Sequence, residues 1–208
     1  MALIFAGSGK KGSGKTLLWT QGLSRRGFKN INFADILKSK CRADFKLTPE
    51  HTDGNLKETP VPKLNDRTPR ELMIDVGQMY RKFSVEGGYW RDAALEKVNS
   101  MAVDQLVYIG DCRFKNEADA IRAKGGILIR LERDEKLNIY KPSDDLSECD
   151  LDDYDFDVTI PANRNKTPQD LEVFADDLIE VIQKAKDKCK GDYSRFSLLF
   201  RDCWSHTC

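Results

Sequence analysis

The chain has 208 residues, is 40% hydrophobic and 33% charged, and carries 34 basic against 34 acidic side chains, so its formal net charge is zero. That balance fits one good globular core and excludes the broad basic surface by which proteins hold nucleic acid through its phosphates. No apolar run approaches the roughly 18 residues of a membrane span, and residues 2–6 lack the basic leader and length of a signal peptide. Six cysteines without a Cys-x-x-Cys pair argue against zinc and for reduced thiols in a cytoplasmic compartment.

In chain order, ALIFA reads as a buried strand. A glycine-rich stretch follows, and KTLLWTQGLSRRG then shows helical apolar spacing at Leu17, Leu18 and Leu23, giving the order strand, glycine loop, helix. INFAD reads as a second short strand, ILKSKCRADF as a helix, and residues 46–67 as a long polar loop. TPRELMIDVGQMYRKF opens with a capping box, in which Thr68 caps, Pro69 occupies the first turn and Glu71 falls three residues after the cap. GYWRDAALEKVNSM reads as a helix, QLVYIGD as a strand ending in Asp111, and NEADAIRAKGG as an amphipathic helix stopped by Gly125. ILIRLER and DVTIPA are further strands, and TPQDLEVFADDLIEVIQKAKDK is a long closing helix. Strands alternating with helices predict an α/β fold with a parallel sheet and helices on both faces.

Gly9, Lys10, Lys11, Gly12, Ser13, Gly14, Lys15 and Thr16 fit the pattern G-x-x-x-x-G-K-[ST] without a mismatch. In such a phosphate-binding loop (P-loop), glycines let successive backbone N–H groups turn inward around phosphate oxygens, and the following helix adds its positive dipole end. Lys15 is placed to reach the outer phosphates of ATP and Thr16 to offer its hydroxyl to Mg²⁺. A flexible, solvated linker is the plain alternative, and the strand before and helix after weigh against it.

Asp111 falls at the carboxyl end of a strand, where ligands of open parallel sheets sit, with Arg113 two residues later. Asp111 either orders Mg²⁺ or caps the next helix, and Arg113 suits a bidentate clamp on a phosphoryl group. Arg70 and Arg81 are eleven residues apart, close to three turns, and so share a helix face. They either bind the phosphate of an acceptor or pair with Glu71 or Asp75. Of Arg130 and Arg133, the latter falls in the loop and is the better placed as a lid arginine. The acidic run SDDLSECDLDDYDFD reads as a solvated loop. His51 and His206 have no partner pattern, and Trp90 with Tyr89 reads as core or pocket wall.

Taken in order, these residues resemble the phage-type deoxynucleoside monophosphate kinases of the P-loop kinase superfamily, over roughly residues 3–183. The likeness rests on the glycine loop, FADILK, LKE, TPRELMIDVGQMYR, Trp90 and GDCRFKNEADAIRAKGGILIRLER. It implies a P-loop fold with a five-stranded parallel sheet, a small acceptor-binding helical region at about residues 38–100 and a lid at about 133–155, within one domain of residues 1–188. A tail of unknown role then runs over 189–208. It also implies transfer of the γ-phosphoryl group of ATP, with Mg²⁺, to a deoxynucleoside 5′-monophosphate. Catalysis would fall to Lys15, Arg113, Arg133 and Asp111, and acceptor binding to Asp35, Lys38, Arg70, Gln78, Arg81 and Trp90. The partners implied are small nucleotides in a (host) cytoplasm, with no membrane, no stably bound nucleic acid, and a homodimer as the assembly to test.

Three positions depart from the family. Ile36 replaces its proline, Gln78 its threonine, and Asp145 the histidine of its lid signature. Animal phosphomevalonate kinases share the loop and a segment like SECDLDDYDFD, and are the nearest competitor. A kinase acting on a modified base in DNA and a non-catalytic nucleotide switch are the remaining readings.

Overall fold

A computed structural model describes residues 1–134, 136 and 146–206. Asp145, Cys208 and part of the expected lid lie outside these residues. The chain divides into two compact units, residues 1–31 with 97–208, and residues 32–96.

The larger unit is built on a parallel sheet in the order β2-β3-β1-β4-β5. Its strands are β1 (Leu3–Ser8), β2 (Lys29–Asn30), β3 (Leu106–Ile109), β4 (Ile127–Leu131) and β5 (Val158–Ile160). Every residue of β1 is buried, as expected of a strand covered on both faces. The chain leaves β1 toward one edge of the sheet and leaves β3 toward the other, so a crevice forms at their adjacent carboxyl ends. Five connections begin at that end of the sheet, starting at Gly9, Ile31, Gly110, Glu132 and Pro161.

The helix after the glycine loop, α1 (Lys15–Leu17), widens at once into a π-helical turn over Leu18–Gly22, in which the Trp19 ring stacks parallel to Tyr108 at 6.4 Å. Helix α6 (Lys115–Ala123) follows β3. The long helix α8 (Pro168–Cys189) buries Leu171, Phe174, Ala175, Leu178, Val181, Ile182 and Ala185, a three-and-four-residue stripe, in the same cluster as Leu3 and Phe5 of β1. Its start carries the expected Thr-Pro cap, with Thr167 Oγ1 accepting from Asp170 N at 3.2 Å.

The tail belongs to this core. Helix α9 (Phe196–Ser205) sets Phe200 edge-on to Phe5 at 5.6 Å and Trp204 against Phe174 at 5.7 Å. Both Phe196 and Phe200 are buried. At roughly 1.5–3 kcal/mol for a fully buried aromatic or aliphatic side chain, the two are expected to anchor the unit strongly.

The smaller unit is helical, with α2 (Phe33–Phe45), α3 (Pro49–Thr52), α4 (Pro69–Lys82) and the start of α5 (Tyr89–Asn99). INFAD is therefore not a strand. The Asp35 carboxylate accepts the Asn32 N–H at 2.9 Å and starts α2 at Phe33, so the cap overrides the alternating pattern. Nor is 46–67 featureless, since Thr48 with Pro49 starts α3, and short 3₁₀ turns occupy Asn55–Glu58 and Pro62–Leu64. The Thr68–Glu71 capping box forms as expected, with Thr68 N donating to Glu71 at 2.8 Å and Thr68 Oγ1 accepting from Glu71 N at 3.2 Å.

Candidate active site

The glycine loop at residues 9–16 links the buried β1 to α1. Gly9 has φ 148°, and a Cβ there would lie 2.4 Å from the Leu131 carbonyl, so only glycine lets the loop lie this close to the end of β4. The Lys15 ammonium folds back over the loop, donating to the carbonyls of Gly9 and of Lys10 (3.0 Å) and to Ser13 Oγ (3.4 Å). Its pKa falls from the usual 10.5 to about 8. Burial is the largest cause, and the positive charges of Arg113 and Arg130 add to it, against the opposing carboxylates of Glu148 and Asp111. One lysine, two arginines and two carboxylates thus lie within electrostatic reach of one another.

Arg113 is held from both ends. The carboxylate of Glu117, which is 4% exposed, accepts the backbone N–H groups of Arg113 (2.9 Å) and Phe114 (3.2 Å), which fixes the turn after β3 and starts α6. The guanidinium donates to Glu148 Oε1 at 2.6 Å, while Glu148 Oε2 accepts the Lys11 backbone N–H at 2.5 Å. Glu148 stands on α7 (Leu146–Cys149). A few residues on, Asp152 pairs with Lys10, and with Arg130 at 2.8 Å. Burial works to raise the Asp152 carboxyl, but the hydrogen bonds from Lys10 and Arg130 outweigh it and hold it below the usual range. Part of the acidic run is therefore not a solvated loop. Its carboxylates occupy the loop N–H and the cationic side chains that would serve phosphate oxygens.

A competition follows from this arrangement. Substituting Glu148→Gln removes an internal anion from Arg113 and Lys11 N–H, so the Kd for ATP is expected to fall severalfold, roughly the value of one charge-assisted hydrogen bond shared with solvent. Titration of wild type and variant with a nonhydrolysable ATP analogue checks it, and unchanged or weaker binding would show that Glu148 does not compete.

Asp111 lies at the end of β3, and its charge is felt at Lys15 and at Tyr108. The Thr16 hydroxyl is exposed at the start of α1 and has no hydrogen-bond partner among the described residues. A hydroxyl and a carboxylate are oxygen donors of the kind Mg²⁺ takes. Among the described residues no group of three or more His, Cys, Asp or Glu side chains is gathered around a metal position.

Arg130, in register beside Ser8 at the end of β1, is the arginine next to the loop. Arg133 has its Nε buried without a hydrogen-bond partner among the described residues. Neither Glu117, Glu148, Asp152 nor Asn165 emerged as a site residue from the sequence, although GDCRFKNE contains Glu117 and placed it in the segment that carries the family likeness.

In the smaller unit, α2 carries Asp35 and Lys38. Asp35 caps the helix, and Lys38 donates to Asp53 at 2.6 Å. Helix α4 carries Arg70, paired with Glu58, the exposed Gln78, and the half-buried Arg81. Trp90 is 3% exposed, donates its ring N–H to the Gly77 carbonyl at 3.1 Å and packs on Tyr80 at 5.1 Å, so within its unit it is a core residue.

A five-stranded parallel sheet with a glycine loop, a basic cluster and a strand-end aspartate at its carboxyl end is the fold of a P-loop kinase. No family model matches the chain. The chain is similar to a protein of Acanthamoeba polyphaga mimivirus that carries the name deoxynucleotide monophosphate kinase as a provisional assignment. The two are 34% identical over 142 residues, which span 60% of this chain and 71% of the viral protein. The chain belongs to the nucleotide kinase family that this viral protein represents. Among the described residues no helix is long and apolar enough to cross a membrane.

Proposed function

We propose that the protein transfers the γ-phosphoryl group of ATP to a deoxynucleoside 5′-monophosphate, giving the diphosphate and ADP. The observation that carries this reading is the loop itself. Its backbone N–H at Lys11, with Lys10, Arg113 and Arg130, already holds two carboxylates in an anion-binding arrangement at the carboxyl end of a parallel sheet.

Phosphoryl transfer asks for little covalent chemistry and much positioning. The loop amides and Lys15 bind the β- and γ-phosphates. Arg113 holds the γ-phosphoryl oxygens as charge spreads over them, and Arg130 and Arg133 add positive potential from the β4 side. Thr16 and Asp111 would hold Mg²⁺, which when bound neutralises phosphate charge. On the acceptor, Arg70 and Arg81 bind the monophosphate, while Asp35, Lys38 and Gln78 shape the pocket for sugar and base and Trp90, from the core of its unit, supports α4 beneath them. Residues of about 38–100 serve as the acceptor-binding region and about 133–155 as the lid, which excludes water so that ATP is not hydrolysed.

The deciding assay is coupled ADP release with the four deoxynucleoside monophosphates, their ribonucleotide counterparts and an isoprenoid monophosphate. ADP formation dependent on a deoxynucleotide supports the reading. Turnover with the isoprenoid phosphate alone would replace it with the phosphomevalonate type.

A further inference from the structure

Asn165 sits in the turn between β5 and α8 and is 1% exposed. Its Nδ2 donates to two backbone carbonyls, that of Ser13 at 2.7 Å and that of Glu132 at 2.6 Å. Ser13 lies in the middle of the glycine loop, and Glu132 follows β4. Both amide hydrogens are spent, so one side chain ties the back of the loop to the end of the sheet. Its Oδ1 faces Gly14, 3.1 Å from where a Cβ would stand.

This contact has a consequence for the other face of the loop. In a trans peptide the carbonyl and the following N–H point in opposite directions. Holding the Ser13 carbonyl against Asn165 therefore turns the Gly14 N–H the opposite way. Gly14 itself has φ 101°, a left-handed conformation that glycine supplies at little cost. Were the Ser13–Gly14 peptide free to rotate, a carbonyl oxygen would compete for the place of a donor. Facing a phosphate, that exchange replaces attraction with repulsion.

We propose that Asn165 is a positioning residue for nucleotide binding, locking the Ser13–Gly14 peptide so that its N–H, not its carbonyl, faces the phosphates of ATP. This rests on the reading of residues 9–16 as the triphosphate site. It assigns to the turn after β5, about 150 residues from the loop, a share in phosphate recognition that does not involve touching the ligand.

Asn165→Asp keeps the shape but removes both donors, and sets an anionic oxygen against the two carbonyls. Asn165→Ala removes the tether without adding charge. Wild type and both variants are titrated with a nonhydrolysable ATP analogue, and KM for ATP and for the acceptor, kcat and Tm are measured in parallel. The expected result is a loss of ATP affinity of about tenfold or more in each folded variant, with acceptor KM within about twofold of wild type. A purely structural role would lower Tm but leave the affinity of the folded fraction unchanged, and that outcome overturns the proposal. Equal losses for ATP and acceptor also overturn it. If Asn165→Asp fails to fold, the Asn165→Ala comparison decides alone. If wild type itself binds no analogue, the reading of the loop falls first, and this inference with it.

Discussion

Replacing Lys15 with alanine is expected to lower kcat by about 10³-fold while the protein stays folded. The ammonium is drawn back over the loop, and in a half-buried site its interaction with a developing phosphoryl charge is far stronger than in water. In the absence of nucleotide the same burial makes it costly. The folded-state pKa of about 8 lies below the usual 10.5, so the unfolded chain binds more protons between those values. Stability from this group therefore rises with pH through that window, and below pH 8 the charged amine opposes folding by roughly 3 kcal/mol at most. Lys15→Met, which keeps the stem, should thus match or exceed the wild-type Tm at pH 7 while losing activity. Bound phosphates would favour the charged amine, so kcat/KM for ATP in wild type should fall as pH rises above 8. Coupled ADP-release kinetics beside thermal melts check all three. Near-normal kcat in Lys15→Ala would remove Lys15 from the mechanism.

Arg113→Ala should cost about 10²- to 10³-fold in kcat, the range for losing one well-placed donor to a developing charge. The position of this arginine is prepared before nucleotide arrives. Glu117 fixes its backbone, and Glu148 holds its guanidinium in the cluster with the loop. In the proposed reaction, the guanidinium would exchange the Glu148 carboxylate for phosphoryl oxygens. Arg113→Lys should recover only a small part of the loss, because an ammonium lacks the planar two-pronged fork. Loss confined to KM, with kcat intact, would mean that Arg113 binds ground-state nucleotide and does nothing more in the transition state.

The fold was readable where local signals agree. The apolar runs of β1, β3 and β4, the Thr-Pro caps of α4 and α8, and the glycine loop all lie where periodicity and capping placed them. INFAD failed because a capping carboxylate three residues on outweighed an alternating pattern. Residues 46–67 failed because turns as short as α3 are too brief to show a period. The role of the tail was not readable because α9 has no motif, and the residue it packs on, Phe5, lies nearly two hundred positions away.

Spacing singled out Lys15, Asp111 and Arg113, which the structure brings within electrostatic reach of one another. It did not single out their partners. Glu148 and Asp152 contact loop residues 137 and 142 positions away, and Asn165 reaches Ser13 across 152. Nothing local distinguishes such a carboxylate from a solvated one, or such an asparagine from an ordinary turn residue. Spacing favoured Arg133 as the lid arginine because it falls in a loop. In the sheet, pairing with Ser8 brings Arg130 beside the glycine loop.

The most direct test is to incubate the protein with ATP labelled in its γ-phosphate and each deoxynucleoside 5′-monophosphate in turn, and to separate the products. The label should appear in a deoxynucleoside diphosphate, with ADP formed in equal amount and neither product accumulating in Lys15→Ala. Label that remains in ATP with every acceptor, or emerges only as inorganic phosphate, would contradict the account.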